Sequence, residues 1–149
     1  MPAPLNGLPL AVPKQWALSQ LMLHFEGEDF TDDDRPFAAT ALVQTRLDVP
    51  AGTAPSDVVI ADLATVKKEL AGFDLVEHGT TKLGAAEVCF LEFSYAESQG
   101  RRLRQLTFYM ASGKQFLTVT GTHVEGERFD AIRPQVVALA QSVLSGLAS

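Results

Sequence analysis

The sequence predicts an α+β fold: one antiparallel β-sheet with two helices packed on one face. Two segments repeat apolar residues at three- and four-residue spacing, Val59, Leu63, Val66 and Leu70 in one, Phe129, Ile132, Val136, Leu139, Val143 and Leu147 in the other. Between them lie four strand-like segments, separated by the short glycine-bearing connections KLGA, ESQGR and SGK, which suit antiparallel hairpins. A chain of 149 residues with 46% hydrophobic content buries roughly two-thirds of its unfolded surface, so one core of this kind forms without a metal or disulfide staple. A single domain over residues 1–149 is expected.

In chain order, LPLAV at 8–12 reads as a short edge strand, and Pro13 to Trp16 as a turn closed by an aromatic. Residues 16–25 form a strand apolar on both sides, with Leu21, Leu23 and Phe25 on one face and Met22 with His24 on the other. An acidic loop follows, EGEDFTDDDRP, and then a strand over 37–48 that alternates Ala41, Val43, Thr45 and Leu47 against Leu42, Gln44 and Arg46. Ser56 is the expected N-cap of the first helix, which runs to Gly72. Strands are expected at 73–81, 87–96, 103–111 and 115–123, the last three as a meander. The second helix starts near Arg128 and places Pro134 near its first turn, where proline is tolerated.

Charge excludes some functions. The net charge is −6, and Glu26, Glu28, Asp29, Asp32, Asp33 and Asp34 all fall within residues 26–34, leaving twelve acidic against twelve basic residues elsewhere. A neutral body without a basic face speaks against nucleic acid, which needs clustered Lys and Arg to displace counterions. The lone Cys89 excludes an internal disulfide and a cysteine-based zinc cage. The N-terminus has no basic residue before Lys14 and four prolines by position 13, unlike a signal peptide. The longest uncharged stretch, from Pro134 to the end, is short of the roughly 20 apolar residues of a membrane span. A soluble cytoplasmic protein with no stable membrane insertion is expected.

Chemistry-bearing patterns are sparse. His24, His78 and His123 stand far apart and in no metal-ligand spacing. Cys89 sits in the apolar run EVCFLEF, where a thiol is a buried packing group rather than a nucleophile. The acidic window lacks the order and closing glutamate of a calcium loop, and GTTKLG lacks the Lys-Ser/Thr of a phosphate loop. Arg101, Arg102 and Arg104 read as a solvated strand edge or as salt-bridge partners for Glu92 and Glu97 rather than as an anion site. No catalytic residue, metal or cofactor is expected, and the protein reads as a non-enzyme.

The strand at 103–111 puts Leu106, Phe108 and Met110 on the face expected beneath the helices. The opposite face should then be polar. Its candidates, Leu21, Leu23, Val43 and Tyr109 with Thr45, Gln105 and Thr107, are not uniformly so. Such a face suits an apolar helix, a dimer interface, or a seat for the N-terminal segment.

The run ELAGFDLVEHGTTKLGAAEVCFLEFSYAESQGRRLRQLTFYM, then KQFLTVTGTH and a closing amphipathic helix, resembles the DcrB-like family of small α+β domains, related in fold to PsbP and the Ran-binding Mog proteins. The matching marks are Leu70-x-Gly72-Phe73, the Gly84 hairpin, Leu103-Arg104-Gln105 and the early Val12-Pro13-x-x-Trp16. Signal-less members of this length resemble the Eag chaperones of type VI secretion. The resemblance implies a homodimeric chaperone that shields the N-terminal transmembrane helices of a PAAR- or Rhs-containing effector. It maps the client groove to Leu21, Leu23, Val43 and Gln105, with Thr45 as neighbour. The acidic segment 26–34 looks like an insertion relative to shorter members. A Mog-like adaptor for a soluble protein partner is the alternative, and it would rely on surface charge.

Overall fold

The computed structural model describes residues 20–24, 30–32, 35–37, 39–97, 100–112 and 115–148. The expected strand at 8–12 and the Trp16 turn lie outside them. The elements are β1 (Gln20–His24), β2 (Phe30–Asp32), β3 (Arg35–Phe37), β4 (Thr40–Thr45), α1 (Pro55–Glu69), β5 (Asp74–Leu83), β6 (Ala86–Ala96), β7 (Arg102–Ser112), β8 (Gln115–Val124) and α2 (Glu127–Ala148). Within the segment expected to be an acidic loop, β2 and β3 pair as a small antiparallel ladder.

Among the described residues, six strands make one antiparallel sheet in the order β1-β4-β8-β7-β6-β5. The meander takes in β5 as well as the three strands expected of it. The β5–β6 connection is a two-residue turn in which Gly84 has φ 65°, a backbone region closed to most side chains. The α+β class stands.

The placement of the helices differs from expectation: they lie on opposite faces of the sheet. Phe129, Ile132, Val136 and Ala140 of α2 pack with Leu106, Phe108, Met110, Val88 and Val119. Val58 and Val59 of α1 pack with Cys89, Leu91, Phe93, Tyr109 and Phe116, which alternate with the first set along β6, β7 and β8. Strand β6 is apolar on both sides, so both sides need cover. At Gly121 α2 comes close to the sheet: a Cβ there would lie 2.3 Å from Val136 Cγ2.

Two local expectations are also corrected. Helix α1 starts at Pro55, with Ala54 as an N-cap that makes no side-chain bond. Proline's fixed φ suits the first helical position, so Ser56 falls inside the first turn. Helix α2 begins at Glu127, which leaves Pro134 in the helix interior rather than its first turn. Lacking an N–H, it offers no intrahelical donor to the Asp130 carbonyl.

Candidate functional site

Helix α1 packs chiefly over β5, β6 and β7 and reaches the Phe116 end of β8. On its side of the sheet, the outer strands form cross-strand rows: Thr40, Thr122 and Gln105; Leu42, Thr120 and Thr107; Gln44, Thr118 and Tyr109. Met22 of β1 continues the middle row beside Leu42. These residues, with Asp62, Thr65 and Val66 of α1 as one wall, enclose a cleft of about 300 Å³. Its floor mixes hydroxyls and amides with apolar groups. Thr107 and Thr118 are buried, Met22 is 51% exposed, and the Thr107 and Thr120 hydroxyls are hydrogen-bonded at 2.8 Å.

The five residues assigned to one groove do not share a face. Leu21 pairs with Val43, Val43 with Val119 and Thr45 with Leu117, while Leu23 pairs with Ala41 and Ala41 with Gly121. Directly paired residues point to one side, so Leu21, Leu23, Val43 and Thr45 lie on the α2 side, where Val43 packs on the core. Gln105 lies on the α1 side, in the cleft with Tyr109 and Thr107. The cleft residues missed by sequence reasoning include Met22, Thr40, Leu42, Gln44, Thr118, Thr120 and Thr122 on the strands and Asp62 on α1. A period-two signal was present in LTVTGT, where Thr118, Thr120 and Thr122 alternate with Leu117, Val119 and Gly121.

One end of the cleft is charged. Arg46, just beyond β4, reaches over β8 to α1 and donates from Nη1 to Asp62 Oδ2 at 2.8 Å and from Nη2 to Oδ1 at 3.1 Å. Its Nε and Nη2 also donate to Asp48, at 2.9 and 3.0 Å. Tyr109 donates its hydroxyl to Asp62 Oδ2 at 2.9 Å. Hydrogen bonds to Asp48 and then Asp62 hold the guanidinium charged well above its ordinary range, and the bond from Arg46 lowers the Asp48 carboxyl. Burial, reinforced by the Asp62 charge, pushes the Tyr109 phenol up, so the phenol keeps its proton for donation.

Several other ionisable groups pair away from the cleft. Under α2, buried Glu92 pairs with Arg104 at 3.3 Å and with Arg133, and Arg101 pairs with Glu97 at 2.6 Å, as the sequence indicates for these arginines. Arg104 also bonds Glu125 at 3.0 Å, and Arg102 bonds Asp74 at 3.0 Å. Cys89 is buried, and that burial raises its thiol pKa. His123 is buried and its Nδ1 accepts the Val124 N–H at 2.8 Å, while His78 is exposed on β5. Among the described residues, no group of three His, Cys, Asp or Glu side chains is arranged to hold a metal ion. No described helix is long and apolar enough to cross a membrane.

Solved structures similar to this one include the following two. A protein of unknown function from Pseudomonas aeruginosa, PA94, described as a putative regulator, aligns over 93% of this chain and 92% of its own at 18% identity, with a TM-score of 0.65. LpqN of Mycobacterium tuberculosis, described as involved in cell envelope biogenesis, aligns over 82% of this chain and 73% of its own at 17% identity, with a TM-score of 0.46. At these identities the first likeness speaks to the fold. No curated protein matches the sequence. The DcrB family model matches residues 30–142, from β2 into α2, and the chain belongs to the DcrB family.

Proposed function

We propose that this protein is a binding module: a cytoplasmic chaperone of type VI secretion that shields the N-terminal transmembrane helices of a PAAR- or Rhs-containing effector before export. The observation that carries the reading is the half-covered sheet: among the described residues, the α1 side over β1, β4 and most of β8 carries no covering helix and has a floor of Thr, Gln, Met and Leu. From β1 to β7 this floor spans three strand spacings, about 14 Å, and a helix with its side chains is about 10–12 Å wide. Met22 and Leu42 cover apolar client side chains. The Thr hydroxyls and the Gln44 and Gln105 amides stand in for the interhelical hydrogen bonds of a membrane bundle.

Burying ~400 Å² of apolar surface at ~25 cal/mol per Å² contributes about 10 kcal/mol before association costs. The six residues of β4 give a floor about 20 Å long, whereas a transmembrane helix of about 20 residues measures about 30 Å. One groove leaves part of such a helix uncovered, which favours a homodimer with two grooves. The reading involves no catalysis and no cofactor.

The test is co-purification from the native host, with Met22→Asp plus Leu42→Asp on the groove side compared with Leu21→Asp on the opposite side. Retention of a large effector with N-terminal transmembrane helices by wild type and Leu21→Asp, but not by the folded double variant, supports the reading. Capture of only soluble partners by wild type replaces it with a Mog-like adaptor. Loss on Leu21→Asp alone, with that variant folded, moves the client to the other face.

A further inference from the structure

We propose that Asp62 is a clasp that sets the separation of the cleft's two walls: its carboxylate ties helix α1 to β4 through Arg46 and to β7 through Tyr109, so that α1 and the β4–β1 pair open and close as one unit. This concerns the free protein, whatever the cleft binds. The two walls are anchored on different parts of the sheet. Helix α1 packs chiefly over β5, β6 and β7, whereas β4 pairs with β8 and carries β1 on its far side. A side-chain link between them therefore couples what the strand order keeps apart.

Three hydrogen bonds converge on the one carboxylate. Arg46 donates from Nη1 to Oδ2 at 2.8 Å and from Nη2 to Oδ1 at 3.1 Å, and Tyr109 donates its hydroxyl to Oδ2 at 2.9 Å. The donors come from the end of β4 and from β7, strands two spacings or about 10 Å apart with β8 between them. A two-pronged guanidinium–carboxylate pair fixes direction as well as distance. The side chains of Arg46 and Asp62 are 17% and 25% exposed and Tyr109 is buried, so the charges attract more strongly than those of a surface pair. The arrangement is seated on the core of the α1 side. The Tyr109 ring meets Phe116 edge-on at 6.4 Å, and the Arg46 backbone N–H donates to the Phe116 carbonyl at 2.7 Å. The bonds from Arg46 to Asp48 differ in kind, because they close within the turn after β4 and reach no second element.

The experiment is residue-by-residue amide hydrogen exchange on the full chain, wild type against single variants, with urea unfolding alongside. Asp62→Asn keeps the shape of the side chain and removes its charge. It should speed exchange in β4 and β1 roughly tenfold or more relative to β6 and β7, as for the loss of hydrogen bonds to a charged partner. Arg46→Gln should do the same and carries the test alone if Asp62→Asn does not fold. The double variant should exchange no faster than either single one, since both remove one link. Tyr109→Phe should loosen the amides of α1 without those of β4. Asp48→Asn, at an exposed position, should change exchange in β4 by less than about twofold. A rise of equal size in β4, β6 and β7 would mean a general loss of stability and would overturn the clasp. Unchanged exchange in β4, or effects of Asp62→Asn and Arg46→Gln that add in full, would overturn it too.

Discussion

The two sides of the sheet are built from the same strands and finished differently. On the α2 side, a 22-residue helix lies against β8, β7 and β5, with Phe129, Val119 and Ala140 fully buried. On the α1 side, a 15-residue helix covers β5, β6 and β7 and leaves threonines and glutamines on the floor of the remaining strands. The difference separates two duties. Both sides bury a core cluster, but among the described residues the α1 side also keeps a partly exposed strip of Thr, Gln and Met, which the proposed function assigns to a partner.

Substitutions should divide along the same line. Phe129→Ala, beneath α2, should destabilise the protein by about 3–5 kcal/mol in urea unfolding, since it empties a fully buried aromatic site. Gly121→Ala should cost about 1–3 kcal/mol by pushing its methyl into Val136, and Val136→Ala in the same chain should recover part of the loss. Met22→Ser on the open floor should change stability by about 0.5 kcal/mol or less while weakening helix binding, as read by unfolding and titration side by side. A Met22→Ser variant as damaged as Phe129→Ala would erase the distinction between the two sides.

The smallest effect concerns pH. Burial opposes ionisation of Glu125, but hydrogen bonds from Arg104 and Ser94, with the charges of Arg104 and Arg102, lower its pKa below the ordinary 4.5. A depressed carboxylate contributes stability above its unfolded pKa, and that contribution disappears as pH falls through the folded value. Unfolding midpoints measured from pH 7 down to about 3 should therefore decline less steeply in Glu125→Gln than in wild type.

Strand content was legible wherever alternation or a glycine turn marked it, which is why β5 to β8 and both helices are near their expected positions. The double-sided cover was legible too, in EVCFLEF, because a strand apolar at odd and even positions alike demands packing on both faces. The assumption of one wet face obscured it. The groove was harder to read. Alternation within a strand tells which residues share a side, but the relation between distant strands depends on pairing. Only the register of Val43 against Val119, set across more than seventy residues, reveals that Leu21 and Val43 face α2 while Met22 and Leu42 face α1. Gln105 could be placed on the face opposite Leu106 and Phe108, because those neighbours fixed its parity within β7 itself.

The strand order also has a kinetic meaning. The four strands from Asp74 to Val124 pair with their chain neighbours, and α2 follows directly, so this half closes through short loops. Strand β4 must instead find β8 across α1 and the whole meander, and β1 can join only through β4. Closing the larger loop has the greater entropic cost, so the meander with α2 is expected to fold first and β4 and β1 to dock late. The same strands should exchange their amide hydrogens earliest. The strands that complete the groove are thus the last to be added and the first to loosen, and a bound helix that bridges them to α1 would slow their departure.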